Sequence, residues 1–191
     1  MIGHMRRLKN CEGETDEFLK AMEGFGENLG TSFLQMPPNF TPKSHKELEA
    51  YLTALPGDYK LSMELRHPEW LKDNETANEA FEMIRKLGFG MVITDTSGRR
   101  DCLHMHLTSS EAFIRFVGNS LHPTDYTRID DWVQRLKKWL DRGIDRIYFM
   151  MHMHDERYSP ELITYTIREL NKHCKLDLKL PDFYDSGDLA S

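Results

Sequence analysis

The stretch KLSMELR, residues 60–66, has the alternation of a short β-strand. Every second residue is polar or charged (Ser62, Glu64 and Arg66), and the leucines and methionine between them are apolar. Side chains two residues apart on a strand point to the same face. The sequence therefore predicts a strand with one apolar face and one face that carries a carboxylate next to a guanidinium.

Four similar runs lie on either side of this stretch, and most of the segments between them have the 3.6-residue apolar spacing of helices. The predicted strands are Thr31–Met36, Lys60–Arg66, Gly90–Asp95, Ala112–Val117 and Arg146–His152. The segment between the third and fourth strands is too short for a full helix and predicts an irregular crossover. Strands that alternate with helices form right-handed units around a parallel sheet.

Such a sheet can close as a barrel or stay open and doubly wound. No glycine-rich phosphate loop follows any strand, which argues against a dinucleotide-binding open sheet. A complete barrel needs about eight strands and about 250 residues. The predicted fold is α/β, a partial TIM-type (β/α) barrel of about five parallel strands with outer helices.

Composition narrows the class of protein. The chain has 191 residues, enough for one domain, which we expect over residues 1–175 with a loose tail at 176–191. The net charge of −6 argues against an overall nucleic-acid footprint but leaves room for a local basic patch. Three widely spaced cysteines predict reduced thiols. We expect a cytoplasmic protein, because the sequence shows neither a signal peptide nor a membrane-spanning segment.

Polar side chains gather where the predicted strands end, and both closures place a ligand site at that edge of a parallel sheet. In chain order they are Gln35, Glu64, Arg66, Asp95, Arg115, Asn119, His152 and His154. A cationic cluster is predicted from the two arginines in this list, Arg66 and Arg115, together with Arg99 and Arg100 in the loop after the third strand. Planar guanidiniums in such a group suit a phosphate or carboxylate ligand.

Each of these groups also has a structural interpretation. Glu64 could form an ion pair with Arg66 or Arg115 inside the barrel, because buried charges need partners. Asp95 could be a turn or cap residue, and Arg99 and Arg100 could be solvated loop residues next to Asp101.

The histidines have structural interpretations as well. The spacing of His152 and His154 suits two metal ligands, but without a third ligand it also suits an ordinary hydrogen-bonded pair. His104 and His106 alternate with apolar residues, which predicts that both lie on the exposed face of a half-buried segment.

Three strings at the strand ends closely resemble the YecE-like family (domain of unknown function 72). They are LGTSFLQMPPNF at 29–40, MELRHPEW at 63–70 and FIRFVGN at 113–119, and the resemblance extends from about residue 2 to about residue 170. It implies a TIM-type barrel, a bacterial cytoplasmic setting and no settled activity. The family motif positions matched here are Gln35, Glu64, Arg66, His67, Trp70, Asp95 and Arg115.

The chain departs from the family pattern in two ways. The last predicted strand carries His152 and His154 where many members have an aromatic residue followed by asparagines. Members also carry about a hundred further residues upstream, including the first three strands of the barrel, so the resemblance implies an N-terminally truncated chain. A sheet without those strands would have open edges, and we expect it to self-associate through them.

Three functions follow from these residues. The first is a metal-assisted hydrolase of a phosphate-bearing small molecule or nucleic acid, by analogy of fold. There Glu64, His67 and Asp95 would be catalytic, His152 and His154 would bind a divalent metal, and the substrate would contact Gln35, Arg66, Arg99, Arg100, Arg115 and Asn119. The second is a non-catalytic anion-binding module that uses the same arginines. The third is a truncated product without activity.

Overall fold

The computed structural model describes residues 2–57, 59–72 and 75–182. Within these residues strands and helices alternate as the sequence predicts. The strands are β1 (Ser32–Gln35), β2 (Leu61–Glu64), β3 (Gly90–Thr96), β4 (Glu111–Gly118) and β5 (Arg146–Met153). The helices are α1 (Glu12–Glu23), α2 (His45–Ala54), α3 (Glu75–Lys86), α4 (Pro123–Asp141) and α5 (Ser159–Cys174). The crossover from β3 to β4 is irregular, as predicted, with a single 3₁₀ turn at Arg100–Cys102.

The five strands are parallel and lie in sequential order, β1-β2-β3-β4-β5. In the β1–β2 register Gln35 is opposite Glu64, and in the β2–β3 register Ser62 is opposite Gly90. A doubly wound sheet reverses its strand order at a switch point, where its ligands bind. The sequential order has no reversal, so the connectivity is that of a barrel segment.

The chain divides into two compact units. The first comprises residues 1–115 and 146–150, and the second comprises residues 116–145 and 151–191. Strands β4 and β5 therefore each contribute their first residues to one unit and their last residues to the other. None of the helices in the described part of the chain is both long and apolar enough to cross a membrane.

The first unit has an apolar layer between its helices and the outer face of the sheet. Leu48 and Leu52 of α2 are buried, as are Ile84 of α3 and Met63 of β2. These residues follow the alternation and the helical spacing read from the sequence. Trp70 is also fully buried and donates a hydrogen bond from Nε1 to the carbonyl of Phe40 at 2.6 Å, so it packs as predicted.

Within the first unit the sheet curves enough for strands that are not neighbours to touch. The rings of Phe33 in β1 and Phe113 in β4 lie 5.5 Å apart, and Phe113 also contacts Tyr148 of β5 at 5.9 Å. A Cβ placed on Gly30, just before β1, would lie 3.5 Å from the Tyr148 ring. These aromatic side chains fill the inner side of the sheet. Phe33 and Met150, which lie on the two end strands, are nevertheless exposed, while Tyr148 is partly buried.

The second unit is built on the packing of α4 against α5. Asp125, in the first turn of α4, is fully buried and accepts a hydrogen bond from the backbone N–H of Asn119 at 2.7 Å. Arg128 pairs with Asp125 at 3.3 Å and lies 4.1 Å from the Phe116 ring centre. This arrangement fixes the start of α4, because the buried carboxylate receives both a backbone donor and a cation.

His104 corrects the sequence analysis, which places it on an exposed face. The side chain is buried, with its Nε2 3.0 Å from the carbonyl of Val92. Its Nδ1 accepts a hydrogen bond from the backbone N–H of His106, so the ring is neutral and carries its proton on Nε2. Burial lowers the pKa of His104 from 6.5 to about 4. The segment does not form a strand, so His104 and His106 do not share a face: His104 packs onto β3, while His106 is exposed.

We predict that His104 makes the stability of the first unit depend on pH. The unfolded chain binds a proton near pH 6.5 and the folded chain only near pH 4, so stability is complete above 6.5 and falls as the pH drops towards 4. Between pH 7 and about pH 4.5 the free energy of unfolding should fall by about 2 to 3 kcal/mol because of this residue. Urea unfolding of the wild type and of His104→Gln, which keeps a donor but does not titrate, measures it. An unchanged slope in His104→Gln would contradict the prediction.

Candidate functional site

Glu64, the last residue of β2, is the centre of the site. Its side chain is only 1% exposed. Oε2 accepts hydrogen bonds from Gln35 Nε2 at 2.8 Å and from Arg115 Nη1 at 2.6 Å, and Oε1 accepts one from the Thr94 hydroxyl at 2.8 Å. Side chains from β1, β3 and β4 thus meet on one carboxylate. The predicted ion pair with Arg115 is confirmed, and Thr94 is a partner that the sequence analysis missed.

Arg66 lies two residues further along the same face, with Nε 3.9 Å from Glu64 Oε1. That nitrogen is buried, and among the described residues it has no hydrogen-bond partner. The side chains of Arg66 and Arg115 are 27% and 19% exposed, so both charges are partly withdrawn from water. Two guanidiniums share one carboxylate, which leaves this group of three with a net charge of +1.

His4 joins the site from the N-terminal segment. Its Nε2 lies 2.8 Å from Gln35 Oε1. The Gln35 amide nitrogen already donates to Glu64, so its oxygen must be the acceptor, and His4 carries a proton on Nε2. Gly3 allows this approach, because a Cβ there would clash with the Gln35 carbonyl oxygen. Nothing in the local sequence around His4 indicates this role.

The loop after β3 holds the other two arginines of the predicted cluster in separate pairs. Arg100 forms an ion pair with the buried Asp95. Arg99 donates two hydrogen bonds to Asp101, at 2.9 and 3.0 Å, and these bonds are the main reason that the pKa of Asp101 is lowered. The alternative interpretation of Arg99, a loop residue paired with Asp101, is therefore the correct one. Asp95 serves as the partner of Arg100.

His67 also has a structural partner. Its Nδ1 accepts a hydrogen bond from the backbone N–H of Glu69 at 3.2 Å and caps the 3₁₀ turn Pro68–Leu71. Cys102 donates from Sγ to the carbonyl of Arg66 at 3.3 Å, which ties the loop after β3 to the end of β2. Burial raises the pKa of the Cys102 thiol. All three cysteines are free, as predicted.

Three predicted site residues belong to the second unit and have contacts of their own there. Asn119 is exposed and donates its backbone N–H to Asp125. His152 is half exposed, with Nδ1 3.5 Å from Glu156 Oε1, and His154 is exposed. In the described part of the chain no group of three or more His, Cys, Asp or Glu residues is arranged to hold a metal ion.

A cavity of about 510 Å³ opens next to Glu64 within the first unit. Its polar wall includes His4, Gln35 and Arg115, and its apolar wall includes Phe33 and Tyr59. A volume between about 300 and 1,000 Å³ is typical of sites for small molecules. The cavity thus places a positively charged side chain and a fixed amide next to aromatic surface.

Over residues 1–183 the chain matches the family described as "Protein of unknown function DUF72". It is 26% identical over 189 residues to the protein named UPF0759 protein YecE, both in Escherichia coli O157:H7 and in Escherichia coli strain K12. The match covers 90% of this chain and 69% of each relative.

Two crystal structures of a DUF72 family protein (EF0366) from Enterococcus faecalis V583 share the fold. The TM-scores are 0.64 and 0.67 at 15% and 14% identity. Each match covers 91% of this chain and, respectively, 70% and 73% of the solved chain. The predicted fold class, a partial TIM-type barrel of five parallel strands with helices, is confirmed.

We predict that the Glu64–Arg115 pair stabilises the first unit. Arg115→Met should lower the free energy of unfolding by about 2 to 3 kcal/mol, because it removes the main partner of a buried carboxylate while Arg66 remains nearby. Adding Glu64→Gln should restore part of this loss. The control is Lys60→Met, which breaks the exposed pair with Glu111 and should cost less than about 1 kcal/mol. Urea unfolding at neutral pH measures all three, and equal losses for the two single variants would contradict the prediction.

Proposed function

The chain belongs to the DUF72 family, and we propose that this member binds a small molecule with a phosphate or carboxylate group through Arg66 and Arg115. The observation that carries the proposal is the pair of guanidiniums around one buried carboxylate. Glu64 neutralises only one of the two positive charges. An anionic ligand would neutralise the other.

The hydrogen-bonding state of Arg66 supports a ligand at this position. Its buried Nε has no acceptor among the described residues, and a buried donor without a partner costs about 1 to 3 kcal/mol. A turn of the partly exposed side chain that brings Nε to a ligand oxygen would recover this cost. Guanidinium groups bind phosphate and carboxylate oxygens through paired N–H donors, which favours these two anions over halides.

The geometry favours binding over metal-assisted hydrolysis. The carboxylate of Glu64 already accepts three hydrogen bonds, Asp95 is paired with Arg100, and His67 caps a turn. Each of these groups would have to leave a protein partner before it could act as a base or bind a metal. Metal-assisted hydrolysis by these residues, with His152 and His154 as ligands, stays a prediction.

A small molecule suits the site better than nucleic acid. Arg66 and Arg115 are mostly buried, and the adjoining cavity of about 510 Å³ has the size of a small-molecule site. Nucleic acids are usually bound by exposed basic surfaces that follow the phosphate backbone, and the net charge of −6 argues against such a surface over the whole chain.

The test compares two arginines that differ in their setting. Arg66→Gln should weaken the binding of inorganic phosphate at least tenfold, the effect of losing one hydrogen bond between charged groups. Arg100→Gln changes a half-exposed residue that is already paired with Asp95, and it should change the affinity for inorganic phosphate less than about twofold. Isothermal titration at one fixed, low salt concentration measures both. Because Arg66→Gln leaves the Glu64–Arg115 pair in place, the variant should stay folded, and circular dichroism verifies this.

Equal losses in the two variants would show a diffuse basic surface and would overturn the proposal. Phosphodiester hydrolysis that requires an added divalent metal and disappears in His152→Ala would instead support the hydrolase hypothesis.

A further inference from the structure

The cavity beside Glu64 has a charged end and an aromatic end, and it lies wholly within the first unit. Arg115, Gln35 and His4 form the charged and polar end. Phe33, Phe18 and Tyr59 lie among the apolar residues of its wall, with the Phe18 and Tyr59 rings 6.3 Å apart and edge to face. A ligand that fills this space has to match both ends.

The polar end is connected by a chain of hydrogen bonds that begins at the exposed His4 ring. The His4 ring donates to the Gln35 amide, which donates to Glu64, which in turn holds Arg115. Each member of this chain has its donor or acceptor direction fixed by the next one. The absence of a side chain at Gly3 lets the N-terminal segment lie against β1, because even a methyl group there would clash with the Gln35 carbonyl. The buried Glu64 carboxylate positions Gln35 and Arg115 before a ligand binds, which lowers the entropic cost of binding.

The aromatic end of the cavity includes a partly exposed ring. Phe33 is 43% exposed, an unusual state for a phenylalanine that belongs to the first unit's aromatic layer. The guanidinium carbon of Arg115 lies 5.2 Å from the Phe33 ring centre, so the charge and the exposed ring adjoin each other. Contact between two aromatic rings contributes about 0.5 to 1.5 kcal/mol in addition to the effect of burying their surface.

We propose that the ligand is an amphipathic anion: an aromatic ring that contacts Phe33, joined by a short linker to a carboxylate or phosphate that contacts Arg115. This inference rests on the proposed function and adds the chemical class of the ligand. The excess positive charge selects the anionic head. The exposed ring and the apolar wall select the aromatic body, and the volume of about 510 Å³ limits the molecule to a small one.

The test measures the binding of five probes to the wild-type chain: 3-phenylpropionate, 3-phenylpropionamide, propionate, phenyl phosphate and inorganic phosphate. The two aromatic anions should bind at least tenfold tighter than the neutral amide, because the amide lacks the charge. They should also bind at least tenfold tighter than propionate and inorganic phosphate, which lack the ring. The relative affinity of the carboxylate and the phosphate identifies the preferred head group.

Two variants and one control variant test where the probe binds. Phe33→Ala should remove most of the advantage of the aromatic anions and leave inorganic phosphate binding within about twofold of wild type. Met105→Ala is the matched control, since Met105 is similarly exposed, at 38%, but does not line the cavity; it should change neither. Gly3→Ala should weaken every probe, because the clash displaces His4.

The outcomes separate this inference from the proposed function. If inorganic phosphate binds and Arg66→Gln weakens it, but the ring adds no affinity, the inference is wrong and anion binding stands. If no anionic probe binds, both are wrong. Binding of the amide as tightly as the carboxylate would also overturn both, since the charge would have no role. Light scattering is the last check: a dimer that dissociates in Phe33→Ala would show that a second copy of the chain covers the exposed ring, which would overturn the inference.

Discussion

A carboxylate buried at the end of the second strand has to be neutralised, and the inner side of the sheet is arranged around that requirement. Glu64 is almost inaccessible to water and receives donors from three other strands. An unpaired charge in this position would cost several kcal/mol. The register of β1 against β2 places Gln35 opposite Glu64, and Arg115 reaches the same carboxylate from β4.

The same requirement shapes the cavity. Gln35 is held in one orientation by Glu64, and this orientation determines what His4 can donate to. Arg115 is held next to the exposed face of Phe33. Positive charge in excess of the carboxylate, together with an ordered amide and an aromatic surface, is the combination expected of a recognition site. The carboxylate thus positions the groups around it, and these groups supply the surface that the proposed ligand would contact.

The groups first considered as a catalytic set already have partners among the described residues. Asp95 is paired with Arg100, and His67 caps the turn that carries Trp70. The histidines at the end of β5 lie in the second unit, where His152 is close to Glu156. Residues of the right chemical type at the ends of parallel strands therefore do not by themselves define a reaction.

The sequence by itself determined the order of strands and helices, the parallel sheet and the face on which Glu64 and Arg66 lie. All of these depend on periods of two or 3.6 residues, which a local pattern contains. The motif strings also predicted the family. The tertiary structure decided which partner each charge takes: Arg115 is 51 residues from Glu64 along the chain, and His4 is 31 residues from Gln35. It also decided that His104 rather than His106 is buried. Those choices depend on distances between segments far apart in sequence, and an irregular segment such as 103–108 has no fixed period that would predict which of its side chains packs against the rest of the protein.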